Sequence, residues 1–523
     1  MRPMSTATVA MLDFETALAR EAVATRNLVP DEPGWDALAA DSKAIKKIAG
    51  YVAGLCRKGF ESAPSRTLSA RKPGHGVRPV AFWGPADRIL YRALTDAAVR
   101  GLNLRERSTE EYIKFVKAPV DYAYALQQAR DVGDKRQPRS LFYFLDTDIE
   151  YIVRSDVTAF YQFVDHGMLA DELIAQGASF EIVAALVELL GEIEGRAYGL
   201  PQLLDSSDVL SEVFIDRVER SLLRQGLAVW RFNDDFRIAC RTYSDAVGSI
   251  ELLDTEVRAN GLSLNESKTF TYRFITYLME HYDAEALKSV GGTIAPDDVE
   301  AVTGDYLDDF SDNIDGALEV VKAAQPHAGE DGIDLNAARG EEVRTLRRAL
   351  DALAKERDDR ACGEVRRLLA YLPSLTPDVA KYLLALKPRS SAAALRSAVD
   401  DVLENTTLNA WQMVWLLEVI RKRNLIRGSD ERSVRRLAWV TKCFESRDDG
   451  PLRAAAFRTL SAGKRLSVQE AVQAAADSSY AVRLHYLAGI ADRLVRAKLQ
   501  PEEEKAIRAL GSTDVLHRQV LGL

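Results

Sequence analysis

Apolar positions recur at helical spacing from Ser42 to Phe60: Ile45, Ile48, Val52 and Leu55 fall on one stripe and Lys43, Lys46 and Lys47 lie off it. This pattern predicts an amphipathic helix. The texture then changes. Arg66 to Pro85 carries short apolar runs around a Lys-Pro-Gly-His-Gly turn, the pattern of a β-hairpin with a basic tip, and a helix resumes at Pro85. Glu150 to Phe163 begins as a β-rich run that ends at Asp156. A Gly-Leu-Pro-Gln opening at Gly199 leads into helical periodicity, and Leu227 to Thr242 reads as two strands meeting at Asn233, Asp234 and Asp235. Strand, helix and hairpin in that order predict an α+β unit with acids brought to strand ends.

Beyond residue 290 the strand signals disappear. From Val343 onward short Leu/Ala-rich segments are broken near Pro373, Pro388, Gly428, Gly450, Gly463 and Ser478, which predicts stacked antiparallel helix pairs. Thr376 before Pro377 and the Ser467-x-x-Glu470 box mark helix starts. The chain therefore divides into an N-terminal helical extension (1–42), an α+β unit (43–290), a connector (291–342) and a helical repeat (343–523).

A length of 523 residues agrees with several domains, and 47% hydrophobic with 28% charged residues is an ordinary globular composition. No apolar run approaches a membrane span, and the N-terminus lacks a signal-peptide pattern, so a cytoplasmic protein with no membrane partner is expected. Cys56, Cys240, Cys362 and Cys443 are too scattered for a disulfide framework or a zinc site. The net charge of −9 argues against a polyanion partner until its distribution is considered. Lysines and arginines dominate from Lys43 to Lys117, whereas acids dominate from Asp283 to Glu342.

Asp156 and the Asp234-Asp235 pair carry the chemistry. Carboxylates at adjacent strand ends can hold two Mg²⁺ ions about 3.5–4 Å apart, the arrangement that nucleotidyl transfer requires. Taken one at a time, the same residues read as a strand-end surface acid and a polar hairpin turn, since Asp-rich turns are common.

Taken in order, they resemble the reverse transcriptases of the right-hand polymerase family over about residues 43–280. Ser155-Asp-Val-Thr-Ala-Phe-Tyr161 is similar to the first palm motif, Gly199–Gln202 to the second and Phe232-Asn-Asp-Asp235 to the third. Gly261–Thr269 resembles the fourth, which ends Leu-Asn-x-x-Lys-Thr, and Val77 to Leu90 resembles the fingers segment with its Arg-Pro and Asp-Arg. The resemblance implies right-hand fingers and palm. It makes Asp156, Asp234 and Asp235 the acids for two Mg²⁺ (or Mn²⁺) ions, with the Val157 carbonyl as a further ligand. It implies Tyr161 as the steric gate beneath the sugar, Gln202 at the incoming dNTP, Arg78 with either Arg71 or Lys72 on the triphosphate, and Lys268 as the acid for pyrophosphate.

After Gly-Leu-Pro-Gln the family continues with Gly and small residues, but here Leu203, Leu204 and Asp205 follow. A palm followed by HEAT-like helical repeats is similar in architecture to the abortive-infection and unknown-group, defence-associated reverse transcriptases of bacteria. That resemblance implies antiphage function and DNA synthesis without a template or on a partner non-coding RNA. It also implies single-stranded DNA product, priming from a tyrosine and homo-oligomers. Tyr51 on the basic helix is a candidate primer, although it adjoins the apolar stripe. Trp411 and Trp415, followed by Arg421, Lys422 and Arg423, read either as one helix's buried face or as a stacking platform for single strands. Two alternatives remain open: a non-catalytic nucleic-acid sensor derived from a polymerase, and a retron or mobile-element enzyme.

Overall fold

The computed structural model describes residues 1–73, 76–130, 147–281, 313–324, 327–329, 332–334, 340–446, 450–494 and 499–523. Most of the acidic connector and the Gly74-His75 hairpin tip lie outside the described residues.

Local signals account for the elements around the site. Asp41 accepts from the Ala44 N–H to open the helix Ser42–Lys58, and Gly59 closes it at φ 76°. Strands β1 (Arg66–Arg71) and β2 (Val77–Phe82) form the expected antiparallel hairpin, with Ala70 opposite Arg78 and Arg71 opposite Val77. Pro85 opens the helix Pro85–Ala98, which is buried over most of its length. Strands β3 (Tyr151–Asp156), β4 (Ala228–Phe232), β5 (Asp235–Cys240) and β6 (Phe270–Arg273) make one antiparallel sheet in the order β4-β5-β3-β6. The helix Asp205–Arg224 packs behind β4.

The chain is thus mixed α and β with small sheets, followed among the described residues by helices and the short strands His327–Gly329 and Gly332–Asp334. The later helices build two rows. Gly340–Glu356, Thr376–Ala385, Ala410–Lys422, Pro451–Ala462, Arg483–Leu494 and Val515–Val520 stack successively, while Val365–Tyr371, Ala392–Asn405 and Glu431–Phe444 stack beside them. The capping box at Ser467 and Glu470 forms as its spacing predicts. No described helix is long and apolar enough to cross a membrane.

The helical rows are not set apart from the α+β unit. Ala410–Lys422 and Pro451–Ala462 pack against β1, and Val515–Val520 packs against Ser42–Lys58. One apolar cluster runs from Val9 to Leu521. Ion pairs tie the N-terminal segment to the helix Pro85–Ala98. Glu21 accepts from Arg88 (2.6 Å) and Arg92 (3.0 Å), and Arg88 also reaches Glu32 (2.5 Å). Arg92 continues to Asp205 at 2.7 Å. Arg88 is therefore an interior anchor, and the N-terminal 42 residues supply its counter-ions.

Candidate active site

The sheet's register brings three acids together. Asp156, the last residue of β3, pairs directly with Asp235, the first of β5, and Asp235 pairs with Phe232 across the hairpin. Only Asn233 and Asp234 remain for the turn, and Asn233 takes φ 54°, a left-handed conformation that its side chain tolerates. Arg231 supports this turn from below. Fully buried, it binds Glu212 at 2.5 Å and Glu219 at 3.2 Å on the helix Asp205–Arg224, and donates to the Asn233 carbonyl at 3.1 Å.

Carboxylate oxygens of Asp156, Asp234 and Asp235 lie within 4.8 Å of one another. Burial first, then the charges of Asp156 and Asp235, push Asp234 up to about 6; burial also raises Asp235, with Arg237 opposing. Three crowded oxygen donors, one of which burial and its neighbours' like charges hold back from ionising, fit a hard divalent cation such as Mg²⁺. The Val157 N–H donates to the Asp234 carbonyl at 3.1 Å, which ties the end of β3 to the hairpin turn.

Lys268 and Asn265 both reach Asp156 Oδ2, at 3.1 and 3.2 Å. The segment carrying them is tied to β3 by the Asn265 N–H on the Asp156 carbonyl (2.7 Å) and the Thr158 N–H on the Ser263 carbonyl (2.8 Å). Asn265 was legible only as part of a motif; its contact with the acid assigns it a place in the site.

The basic hairpin faces the same acids. Arg78 and Lys72 fall on one face of the β1–β2 ribbon, because Ala70 is paired with Arg78 and Lys72 lies two residues beyond Ala70. Arg71 lies on the other face. Burial, then Arg78 and Lys268, lowers the Lys72 ammonium's pKa, while Asp156 and Asp234 pull it back. Lys72 lies within electrostatic reach of the carboxylates.

Tyr161 follows a left-handed turn at Ala159 (φ 47°). Its carbonyl accepts from Leu200 at 2.7 Å, and the Gly199 N–H donates to the Val164 carbonyl at 2.8 Å, so the Gly-Leu-Pro-Gln segment docks on the chain just after β3. Gln202, partly buried, follows two residues later. Leu203 then adopts φ 66°, a conformation costing a side-chain-bearing residue about 1–2 kcal/mol, while Leu204 is buried and Asp205 joins Arg92. Leu204 and Asp205 therefore anchor this segment.

Tyr51 is not brought to the acids. It is half-buried beside Asp514, and burial and that charge push its hydroxyl up to about 12. Trp411 and Trp415 are buried, and both donate to the Leu28 carbonyl, Trp415 at 3.1 Å. They form a buried face rather than a stacking platform. Arg421 and Lys422 pair with Glu418, and Arg423 donates to the carbonyls of Leu383, Leu384 and Leu386.

No protein-family model matches the chain, and no curated protein matches it. Among solved structures it is similar to telomerase from Candida albicans in complex with a fragment of telomeric RNA, at 10% identity and a TM-score of 0.31, over 73% of this chain and 66% of that one. It is also similar to apo telomerase from Candida tropicalis, at 12% identity and a TM-score of 0.25, over 82% and 69%. The chain thus spans about two thirds of the length of each, and likeness at this level carries no functional argument.

Proposed function

We propose that this protein is a reverse transcriptase-type DNA polymerase that transfers dNMP units to a primer hydroxyl. The observation that carries this reading is the convergence of Asp156, Asp234 and Asp235 opposite Lys72, Arg78 and Lys268, acids for divalent cations facing cations for a triphosphate. A purely structural hairpin turn has no physical reason to crowd three carboxylates.

Divalent cations held by Asp156, Asp234, Asp235 and the Val157 carbonyl would activate the attacking hydroxyl and steady charge on the α-phosphate. Lys72 and Arg78 neutralise the β- and γ-phosphates and position the nucleotide, which is most of what phosphoryl-type transfer asks of a protein. Lys268 protonates the departing pyrophosphate, Gln202 touches the base or sugar, and the Tyr161 ring walls the sugar's 2′ side. The palm motifs combined with a helical repeat support a place among the bacterial defence-associated reverse transcriptases. That assignment brings with it single-stranded DNA product, homo-oligomers and a partner RNA or no template at all.

The test supplies single and mixed labelled dNTPs with Mg²⁺ to the wild type and to Asp234→Ala, before and after nuclease removal of co-purified RNA. Incorporation by the wild type alone is expected. Equal incorporation by both, or by neither, rejects the reading. Label that survives denaturation on the protein identifies tyrosine priming, and protection from phage that is lost in Asp234→Ala identifies the defence role.

A further inference from the structure

The hydroxyl of Tyr161 is not free. It donates to Asp208 Oδ1 at 2.6 Å and accepts from Arg107 Nη1, while Arg107 and Asp208 form their own ion pair at 3.0 Å. Arg107 also donates to Ser211 Oγ at 2.7 Å, and its guanidinium lies 5.9 Å from the Tyr161 ring centroid. The ring also packs T-shaped against Phe160, 5.6 Å between centroids. Burial, opposed by Arg107 and reinforced by Asp208, pushes the hydroxyl up to about 12, so it stays protonated.

Three separate segments contribute to this cluster: Tyr161 just after β3, Asp208 in the first turn of the helix Asp205–Arg224, and Arg107 in the stretch before the helix Thr109–Arg130. A tyrosine hydroxyl has one proton to donate, and here Asp208 holds it. The side chain therefore acts as a braced wall, unable to serve as primer or acid in this arrangement. Bracing matters because a sugar 2′-hydroxyl adds only one oxygen, and a ring that can yield by a fraction of an ångström no longer excludes it.

We infer that Arg107 and Asp208 are positioning residues which fix the Tyr161 ring and thereby set the discrimination between deoxyribonucleotides and ribonucleotides. The inference rests on the polymerase reading of the site. It adds two residues that act through Tyr161.

The experiment measures kcat/KM for dATP and ATP with Mg²⁺ in the full-length wild type, Asp208→Ala, Tyr161→Phe and the double variant. Each single variant is expected to lower the deoxy-to-ribo ratio roughly tenfold, within the range that small pocket changes produce. The double variant should fall no further than Tyr161→Phe, because both changes remove the same brace. The ratio is the informative readout, since general loss of fold lowers both substrates alike. Tyr161→Phe removes a single oxygen and keeps the test alive if Asp208→Ala fails to fold. An active wild type with an unchanged ratio in the variants, or additive losses in the double variant, overturns this inference alone. A wild type that incorporates no nucleotide overturns the polymerase reading, and this inference with it.

Discussion

Lys268 Nζ lies 3.1 Å from Asp156 Oδ2, joining residues 112 positions apart at the centre of the site. The lysine is more than half exposed while the aspartate is largely buried, so the ammonium can leave this carboxylate without crossing protein interior. A group so placed can guard the acid in the resting site and serve the leaving pyrophosphate during turnover. We predict that Lys268→Ala lowers kcat for dNTP incorporation by about 10²-fold or more, the scale of general acid catalysis, with a smaller change in KM. Steady-state kinetics showing an unchanged kcat would remove Lys268 from the chemistry.

Asp234 gives a pH prediction with a defined sign. Its carboxyl is raised from an ordinary 3.8 to about 6, so the folded state favours the protonated form. Below 3.8 both folded and unfolded states are protonated and nothing is lost. As pH rises from 3.8 to 6, ionisation penalises the fold by an amount of order 1–2 kcal/mol after solvent screening, and the penalty persists above 6. Without divalent cation, Asp234→Asn should therefore raise Tm at pH 8 and leave it nearly unchanged at pH 4. Thermal melts with no such pH contrast would contradict the crowding of the three acids.

Lys72 and Arg71 are adjacent in sequence yet fall on opposite faces of the ribbon. Loss of Lys72 should raise KM for dNTPs about tenfold, as expected for a charge-assisted phosphate contact, whereas Arg71→Ala should change it less than threefold. The two KM values measured side by side decide the matter, and a larger effect at Arg71 would mean that the hairpin presents its other face.

Arg231 concerns stability. Its guanidinium is buried against Glu212 and Glu219, and Arg231→Ala would take from Glu212 its buried ion pair and leave Glu219 to Arg105. A loss of about 3–5 kcal/mol is expected by urea denaturation. Arg231→Lys keeps the charge but not the forked geometry, so it should recover only part of that. A loss below about 1 kcal/mol for Arg231→Ala would show that the turn stands without its support.

Local chemistry was the legible part of this chain. Asn233 announced its turn, Pro85 its helix and Ser467 with Glu470 its cap, because each signal acts within a few residues of itself. The acids at 156, 234 and 235 were legible as a set because their motifs keep a fixed order. Sequence could not tell Lys72 from Arg71, since the choice depends on the pairing of Ala70 with Arg78 across the hairpin. Arg107 and Asp208 gave no signal at all: each is an unremarkable charged residue until folding brings positions a hundred apart onto one hydroxyl. The packing of the late helices against β1 was hidden for the same reason, since nothing in a helical period names its distant partner.

The two indoles that share the Leu28 carbonyl impose an order on biogenesis. Trp415 lies 387 residues downstream of that oxygen, so on the ribosome the early segment must wait for most of translation before its partner emerges. A stop codon anywhere ahead of Trp411 would delete the late helices and also leave that carbonyl without either indole. Premature termination therefore damages the first folded segment as well as the last.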